Sequence, residues 1–243
     1  MSAYNFVSFH GDKNIKQFYL DQIREHRQLG QITHDVYFWD GENGDAVGCT
    51  IHSHEYELYE TRLGIPKWIA QIEDMVFDNL GAPMDQAWPY DFIRAIPVGV
   101  SWDNMWNEYC LMLINVLRYF LEKKLHSVYF LDAAALLHKR SVSEEKPTNY
   151  EWLDLQSYLW NKEKELKEEQ TDVVNFLDSV LSPIPTIMVV VEFTDVLKDV
   201  FTWKLYQPDD DDDQFCNWLA WDNVSGLLMA AFARLDHPYL IGD

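Results

Sequence analysis

The segment from Pro66 to Leu80 constrains the fold most, because its apolar residues recur at the three- and four-residue spacing of an α-helix. Pro66 stands in the first turn, where proline is favoured. The apolar stripe consists of Ile69, Ile72, Val76 and Leu80. Glu73 falls inside this stripe, about 40° around the helix axis from Ile69, whereas Asp74 is expected to point away from it.

A carboxylate at Glu73 needs a partner, because an unpaired buried charge either costs several kcal/mol or takes up a proton. Four basic side chains elsewhere in the first part of the chain could supply that partner: His26, Arg27, His52 and Arg62. We therefore predict a buried polar centre made of Glu73, His26, Arg27 and His52, with Glu73 in contact with one of the last three.

The same periodicity predicts helices through most of the chain. A first helix over Lys13–Leu29 starts after Asp12, ends at Gly30 and places His26 on its apolar face. Further helices are predicted at 89–95, 102–124, 132–138, 150–170, 171–181 and 215–235. Because the segment 102–124 is apolar almost all round, we expect it to be central in the fold.

Two regions suggest a minor β element. The run Thr186–Phe193 is short, β-branched and nearly continuous, which favours a strand, with a helix over Asp195–Tyr206 as the alternative continuation. Ile32–Trp39 and Ala46–His52 read either as two strands of a hairpin or as a loop packed on helices. The fold class predicted is mainly α, with a short β element, in a single helical domain.

The chain of 243 residues is long enough for one domain with a sizeable core. We predict a single domain over 1–243, with two packed halves over 1–138 and 150–243 as the alternative. Asp209–Asp213 is an unspaced run of aspartates, which is typical of a solvated loop and lacks the turn geometry of a cation-binding loop.

The charge balance restricts the partners. Forty Asp and Glu against nineteen Lys and Arg give a formal net charge of -21, which repels nucleic acid and anionic membranes and attracts basic proteins. The alternative is that acidity only keeps an aromatic-rich protein in solution. Three widely spaced cysteines, no secretory signal and no long apolar run predict a cytoplasmic protein without a membrane segment.

Cys49 and His52 have a spacing that can place a thiolate and an imidazole on one metal ion. If a zinc site exists, we expect Cys49, His52 and His54, with His10 or His26 as the fourth ligand. Because the remaining soft ligands are scattered, we predict no metal and no cofactor.

A second interpretation makes Cys49 a nucleophile, with His52 or His26 as its base and Glu73 orienting that base. The alternative is that Cys49 is a small buried apolar residue. The common sequence signatures of serine hydrolases, phosphate-binding loops and dinucleotide-binding folds do not occur in the chain.

The first 100 residues contain a series of short motifs: His10-Gly11, His26-Arg27, Gly48-Cys49-Thr50, His52-Ser53, Tyr59-Glu60, Leu63-Gly64-Ile65-Pro66, Glu73-Asp74, Trp88-Pro89 and Ala95-Ile96-Pro97-Val98-Gly99. In this order the motifs resemble a family of uncharacterised bacterial and phage proteins. The resemblance implies membership without an established activity. Members often carry a cysteine four positions before the one matching Cys49, and Asp45 stands there in this chain.

If such proteins travel on mobile elements, a strongly acidic member would inhibit a nucleic-acid-binding host protein by presenting carboxylates where phosphates lie. We therefore predict an interaction protein of phage or bacterial origin that binds a basic protein partner and does not bind nucleic acid directly. The alternative is a thiol- or metal-dependent enzyme that uses Cys49, His52 and Glu73.

Overall fold

The computed structural model describes residues 6–120, 127–167, 171–205 and 212–235, with the side chains left out at 120, 127, 163–167, 171, 199–205 and 212–219. The fold is mainly helical, as predicted. The helices are α1 (Lys13–Leu29), α2 (Ala46–Ile51), α3 (Lys67–Asn79), α4 (Met84–Ala95), α5 (Met105–Phe120), α6 (Ser127–Ser141), α7 (Asn149–Lys167), α8 (Thr171–Val180), α9 (Met188–Leu205) and α10 (Asp212–Leu235). A 3₁₀ turn at Ser8–Gly11 and a single π-helical turn at Tyr59–Leu63 complete the list.

The chain groups into two compact units. Unit 1 holds the residues up to Asp103 together with those from Leu228 onward, and unit 2 holds Asn104–Leu227. The chain therefore passes from unit 1 to unit 2 after Asp103 and returns to unit 1 at Leu228.

Unit 1 is built on α1, which packs on α2 and α4, while α3 packs on the same two helices. Its core consists of fully buried side chains, among them Phe9, Ile23, Ile51, Tyr59, Leu63, Ile65, Phe77 and Phe92. Phe232 of α10 meets Phe92 with their ring centroids 5.5 Å apart. This core holds α1, α2, α3 and α4 together in unit 1.

Unit 2 is organised by the pairs α5 with α6 and α8 with α9, and α7 packs on α6 and α8. Met105, Tyr109, Leu113 and Leu117 of α5 are buried, as expected for a central helix. Residues 121–124 of the predicted helix lie outside the described residues. Within the described residues, no helix has both the length and the apolar character needed to cross a bilayer.

The strand prediction over Thr186–Phe193 was wrong, and of the two interpretations of Ile32–Trp39 and Ala46–His52 the hairpin is excluded. The structure shows α9 starting at Met188, within the predicted strand Thr186–Phe193. Val189, Val190 and Phe193 are buried, and a short run of buried apolar residues has the same pattern in a helix as in a strand. Tertiary burial therefore overrides the β-propensity of the valines.

The predicted hairpin is also absent, because Ala46–Ile51 is helical. Asp45 caps this helix by accepting a hydrogen bond from the Gly48 backbone N–H at 2.6 Å. Among the described residues, extended pairing is limited to isolated bridges at Val7 with Ser101, Ile32 with Gly44 and Trp39 with Gly44.

Candidate functional site

Helix α2 is held against the loop before it by Asp45. One carboxylate oxygen of Asp45 caps α2, and the other accepts from the Phe38 backbone N–H at 2.5 Å. The loop comes so close to α2 that a Cβ atom on Gly48 would lie 1.8 Å from the carbonyl oxygen of Phe38. Glycine is therefore required at position 48 by close backbone approach, and the loop carrying Trp39 is fixed beside α2.

The Cys49 side chain points into this tight packing. It is fully buried, and its Sγ contacts the carbonyl oxygen of Gly44 at 3.3 Å. Burial raises the pKa of the Cys49 thiol to about 12, and the nearby charge of Asp45 acts in the same direction. Cys49 is thus a protonated core residue, and its hydrogen bonds go to backbone carbonyls and not to an imidazole.

His26 and His52 do come together, but with one another. Their Nε2 atoms are 2.7 Å apart, and His26 Nδ1 lies 2.7 Å from Oε1 of Gln31. Because Oε1 can only accept, His26 donates from Nδ1 and accepts at Nε2, so His52 Nε2–H is the donor of the pair. His52 Nδ1 is left as an acceptor.

His52 ends α2 in a left-handed backbone conformation with φ 52°. Its ring stacks on Trp39 with centroids 4.2 Å apart and an interplanar angle of 16°. Partial burial lowers the pKa of His52, and the neighbouring His26 and the positive charge of Arg62 lower it further. His52 therefore stays neutral down to a lower pH than an ordinary histidine does.

Glu73 is fully buried, as the helical phase predicted. The predicted pairing with His26, Arg27 or His52 was wrong. Oε2 of Glu73 accepts from the Tyr59 hydroxyl at 2.6 Å, and Oε1 has no hydrogen-bond partner among the described residues. Burial raises the pKa of Glu73 well above its usual range, and the charge of Asp74 raises it further.

Asp74 was expected to point away from the apolar face and is instead buried, 4 % exposed. The Tyr56 hydroxyl donates to its Oδ2 at 2.5 Å. Burial raises the pKa of Asp74 to about 7, with a contribution from the charge of Asp45. The segment before α3 thus buries both acidic side chains beneath Tyr56 and Tyr59. The position of Asp74 around the helix axis does not predict this burial, because the tyrosines come from outside the helix.

The other candidate residues lie apart. Arg27 is exposed, and Arg62 donates to the Ile51 carbonyl oxygen at 2.8 Å. His10 Nε2 lies 3.1 Å from the Thr61 carbonyl oxygen, and His54 is exposed. Within the described part of the chain, no three His, Cys, Asp or Glu side chains are grouped as metal ligands.

A groove of about 530 Å³ runs along α1 beside the histidine pair. Its lining comprises Phe18, Asp21, Gln22, Glu25, His26, Leu29, Gln31, Trp39, Gly41, Glu42 and His52. Phe18 and Leu29 are largely exposed at 59 % and 64 %. None of these lining residues is a lysine or an arginine, so the groove combines three carboxylates with apolar and aromatic surface.

The sequence prediction did not include Trp39, Gln22 or Gln31, which complete this groove, nor Tyr56 and Tyr59, which cover the acidic pair. Tyr59 occurs only in the Tyr59-Glu60 motif, to which no role was assigned, and no short motif marks the other four. Only the position of Asp45, three residues before Gly48, carried a local signal, because it matches a helix cap.

No protein-family model matches the chain, and no curated protein or solved structure is significantly similar to it. The resemblance to bacterial and phage proteins therefore remains a prediction, and the function is argued from the groove.

Proposed function

We propose that this protein acts by binding a basic protein partner in the groove along α1. The observation that carries the proposal is the lining itself, in which Asp21, Glu25 and Glu42 surround apolar surface and no lining residue is cationic. A segment with alternating basic and apolar side chains complements such a surface in both charge and hydrophobicity.

The exposed apolar side chains support binding more than catalysis. Phe18 and Leu29 lie on α1 at the groove, and aromatic or aliphatic side chains of this kind provide anchoring contacts in interfaces. A thiol mechanism at Cys49 lacks support, because the thiol is buried and its pKa is about 12.

We propose nucleic-acid-handling proteins as the partner class. Their binding surfaces are basic because they contact phosphates, and a net charge of -21 attracts such surfaces over a long range. Phage or bacterial origin and a cytoplasmic location belong to the same proposal. A core histone mixture serves as a generic probe: we expect a salt-sensitive complex that double-stranded DNA displaces, and no complex at physiological salt would contradict this partner class.

Fluorescence anisotropy with a labelled hexapeptide of alternating arginine and leucine tests the groove. The groove variant combines Asp21→Asn, Glu25→Gln and Glu42→Gln. A matched control combines Asp35→Asn, Glu55→Gln and Asp154→Asn, which removes the same charge from exposed positions outside the groove.

We expect the groove variant to bind at least about tenfold more weakly and the control to stay within about threefold of the native protein. A peptide with glutamate in place of arginine should not bind. Equal weakening by both triple variants would show that only the overall charge matters, and it would overturn the assignment to the groove.

A further inference from the structure

The hydrogen-bond donors and acceptors that line the groove indicate which chemical group of a partner fits there. Resting on the proposed function, we propose that the groove binds an arginine side chain of the partner, with the guanidinium beside the stacked rings of Trp39 and His52. Arginine offers five N–H donors and no acceptor. The groove presents mainly the opposite set.

Acceptors predominate in the lining because Gln22 and His52 already use their N–H donors in hydrogen bonds within the protein. Gln22 donates through Nε2 to the carbonyl oxygens of Cys49 and Thr50 at 2.9 and 2.6 Å, which leaves its Oε1 free to accept. His52 also offers an acceptor at Nδ1, since its Nε2–H is committed to His26. The carboxylates of Glu25 and Glu42 add two more acceptors, and Asp21 adds its Oδ2, because its Oδ1 already accepts from Arg24 and Gln17. Five groups can therefore accept, against N–H donors on Gln31 and Trp39.

The aromatic rings in the lining favour a guanidinium over an ammonium group. Trp39 and His52 lie nearly parallel, and His26 meets His52 edge-on with centroids 4.9 Å apart. A planar guanidinium stacks on an aromatic ring while pairing with carboxylates in its own plane, whereas the lysine ammonium is a strongly hydrated point charge. Arg24 does not occupy the groove, because it is engaged by Asp21 and by the Tyr90 hydroxyl.

The same arrangement makes arginine binding sensitive to protonation of His52. A proton on Nδ1 of His52 removes an acceptor and places a positive charge in the lining of the groove. The charged or titratable groups around it are Asp21, Glu25 and His26 of α1, Glu42 of the loop and Arg62 of the π-helical turn. The positive charge of Arg62 adds to the repulsion of a bound cation, and the carboxylates oppose that repulsion.

The test uses the full-length protein and three small probes: the Nα-acetyl amides of arginine, of lysine and of citrulline, the uncharged counterpart of arginine. Binding is followed through the indole ¹⁵N–H resonance of Trp39, assigned by its loss in Trp39→Phe. We expect a saturable shift with arginine, at least about threefold weaker binding of lysine and no saturable shift with citrulline.

His52→Asn supplies the matched variant, because asparagine tolerates the left-handed backbone of position 52 and does not titrate. We expect arginine to bind the native protein more weakly at pH 5 than at pH 8, and this difference to be at least halved in His52→Asn. Equal binding of arginine and citrulline, tighter binding of lysine, or an unchanged pH difference in His52→Asn would overturn the arginine assignment.

The two proposals fail differently. If binding of the basic peptide depends on Asp21, Glu25 and Glu42 but the arginine and lysine probes bind equally well, the arginine assignment fails and the proposed function stands. If neither the peptide nor the small probes bind, the proposed function fails as well.

Discussion

Tyr59 donates its hydroxyl proton to Glu73 across 2.6 Å, and both side chains are fully buried. This contact joins the π-helical turn Tyr59–Leu63 to α3 at the centre of unit 1. Glu73 depends on this contact, because its other oxygen has no hydrogen-bond partner among the described residues and loss of Tyr59 would leave the carboxyl group unsatisfied.

Removing both partners should therefore cost less than the two single removals added together. We expect Tyr59→Phe to lower the free energy of unfolding by about 1 to 3 kcal/mol, because Glu73 loses its hydrogen bond. The double variant Tyr59→Phe with Glu73→Leu should lose less than the sum of the single changes. Urea unfolding of the four proteins of this cycle measures the coupling, and simple additivity would contradict it.

Asp74 should make the stability of unit 1 fall as pH rises. Its pKa is raised from 3.8 to about 7, so the folded state keeps a proton that the unfolded state releases in that window. The stabilisation is complete below pH 3.8 and is lost progressively up to about pH 7, by as much as about 4 kcal/mol.

Asp74→Asn should remove most of this loss, because an amide still accepts from Tyr56 and does not titrate. Hydrogen exchange of unit 1 amides between pH 4 and 7, corrected for intrinsic rates, gives the local free energies. Asp35→Asn, at an exposed site, is the control. An unchanged pH dependence in Asp74→Asn would show that Asp74 is not the group responsible.

His138 should give unit 2 the opposite dependence. It is fully buried, its Nε2 lies 2.8 Å from the Val180 carbonyl oxygen and its Nδ1 lies 2.9 Å from the side-chain amide of Asn107. Burial lowers its pKa from 6.5 to about 4. The unfolded state therefore binds a proton first as pH falls. The stability of unit 2 should decrease by as much as about 3 kcal/mol between pH 6.5 and 4.

The same hydrogen-exchange series, read at unit 2 amides, checks this prediction. His54→Gln, which changes an exposed histidine, should leave the dependence intact. If protection of unit 2 does not fall as pH decreases through this window, His138 is not the neutral, buried group that its surroundings imply.

Cys49 should be unreactive in the folded protein. Its buried thiol has a pKa of about 12, so almost none is thiolate at pH 8. Iodoacetamide labelling read by peptide mass mapping should modify Cys49 only after denaturation, at least about 100-fold more slowly in the native state. Rapid labelling of Cys49 in the native protein would support the alternative of a thiol-dependent enzyme. Cys110, which is also fully buried, is the internal control.

The predictable parts of the fold are those with local causes. Helices α1 and α3 and the burial of Glu73 follow from periodicity within one helix. Helix α2 does not, because its six residues are fixed by the Asp45 cap and by close contact between Gly48 and Phe38. Its apolar run alone fits a strand equally well.

The site was less predictable because its contacts are long-range. His26 and His52 are 26 residues apart, and the choice of each other over Glu73 depends on how the end of α1 meets the end of α2. Tyr59 reaches Glu73 because a π-helical turn places it there. Such turns have no clear sequence signature. The sequence therefore indicated which polar residues belong to the site but not which of them pair with one another.

The most direct test of the binding groove is a chemical-shift map of the ¹⁵N-labelled protein with the arginine–leucine hexapeptide. The groove account predicts saturable shifts concentrated on the lining of α1, on the loop around Trp39 and on His52, and absent from α7 and α8. Shifts spread over acidic positions of both units, or concentrated away from α1, would contradict it.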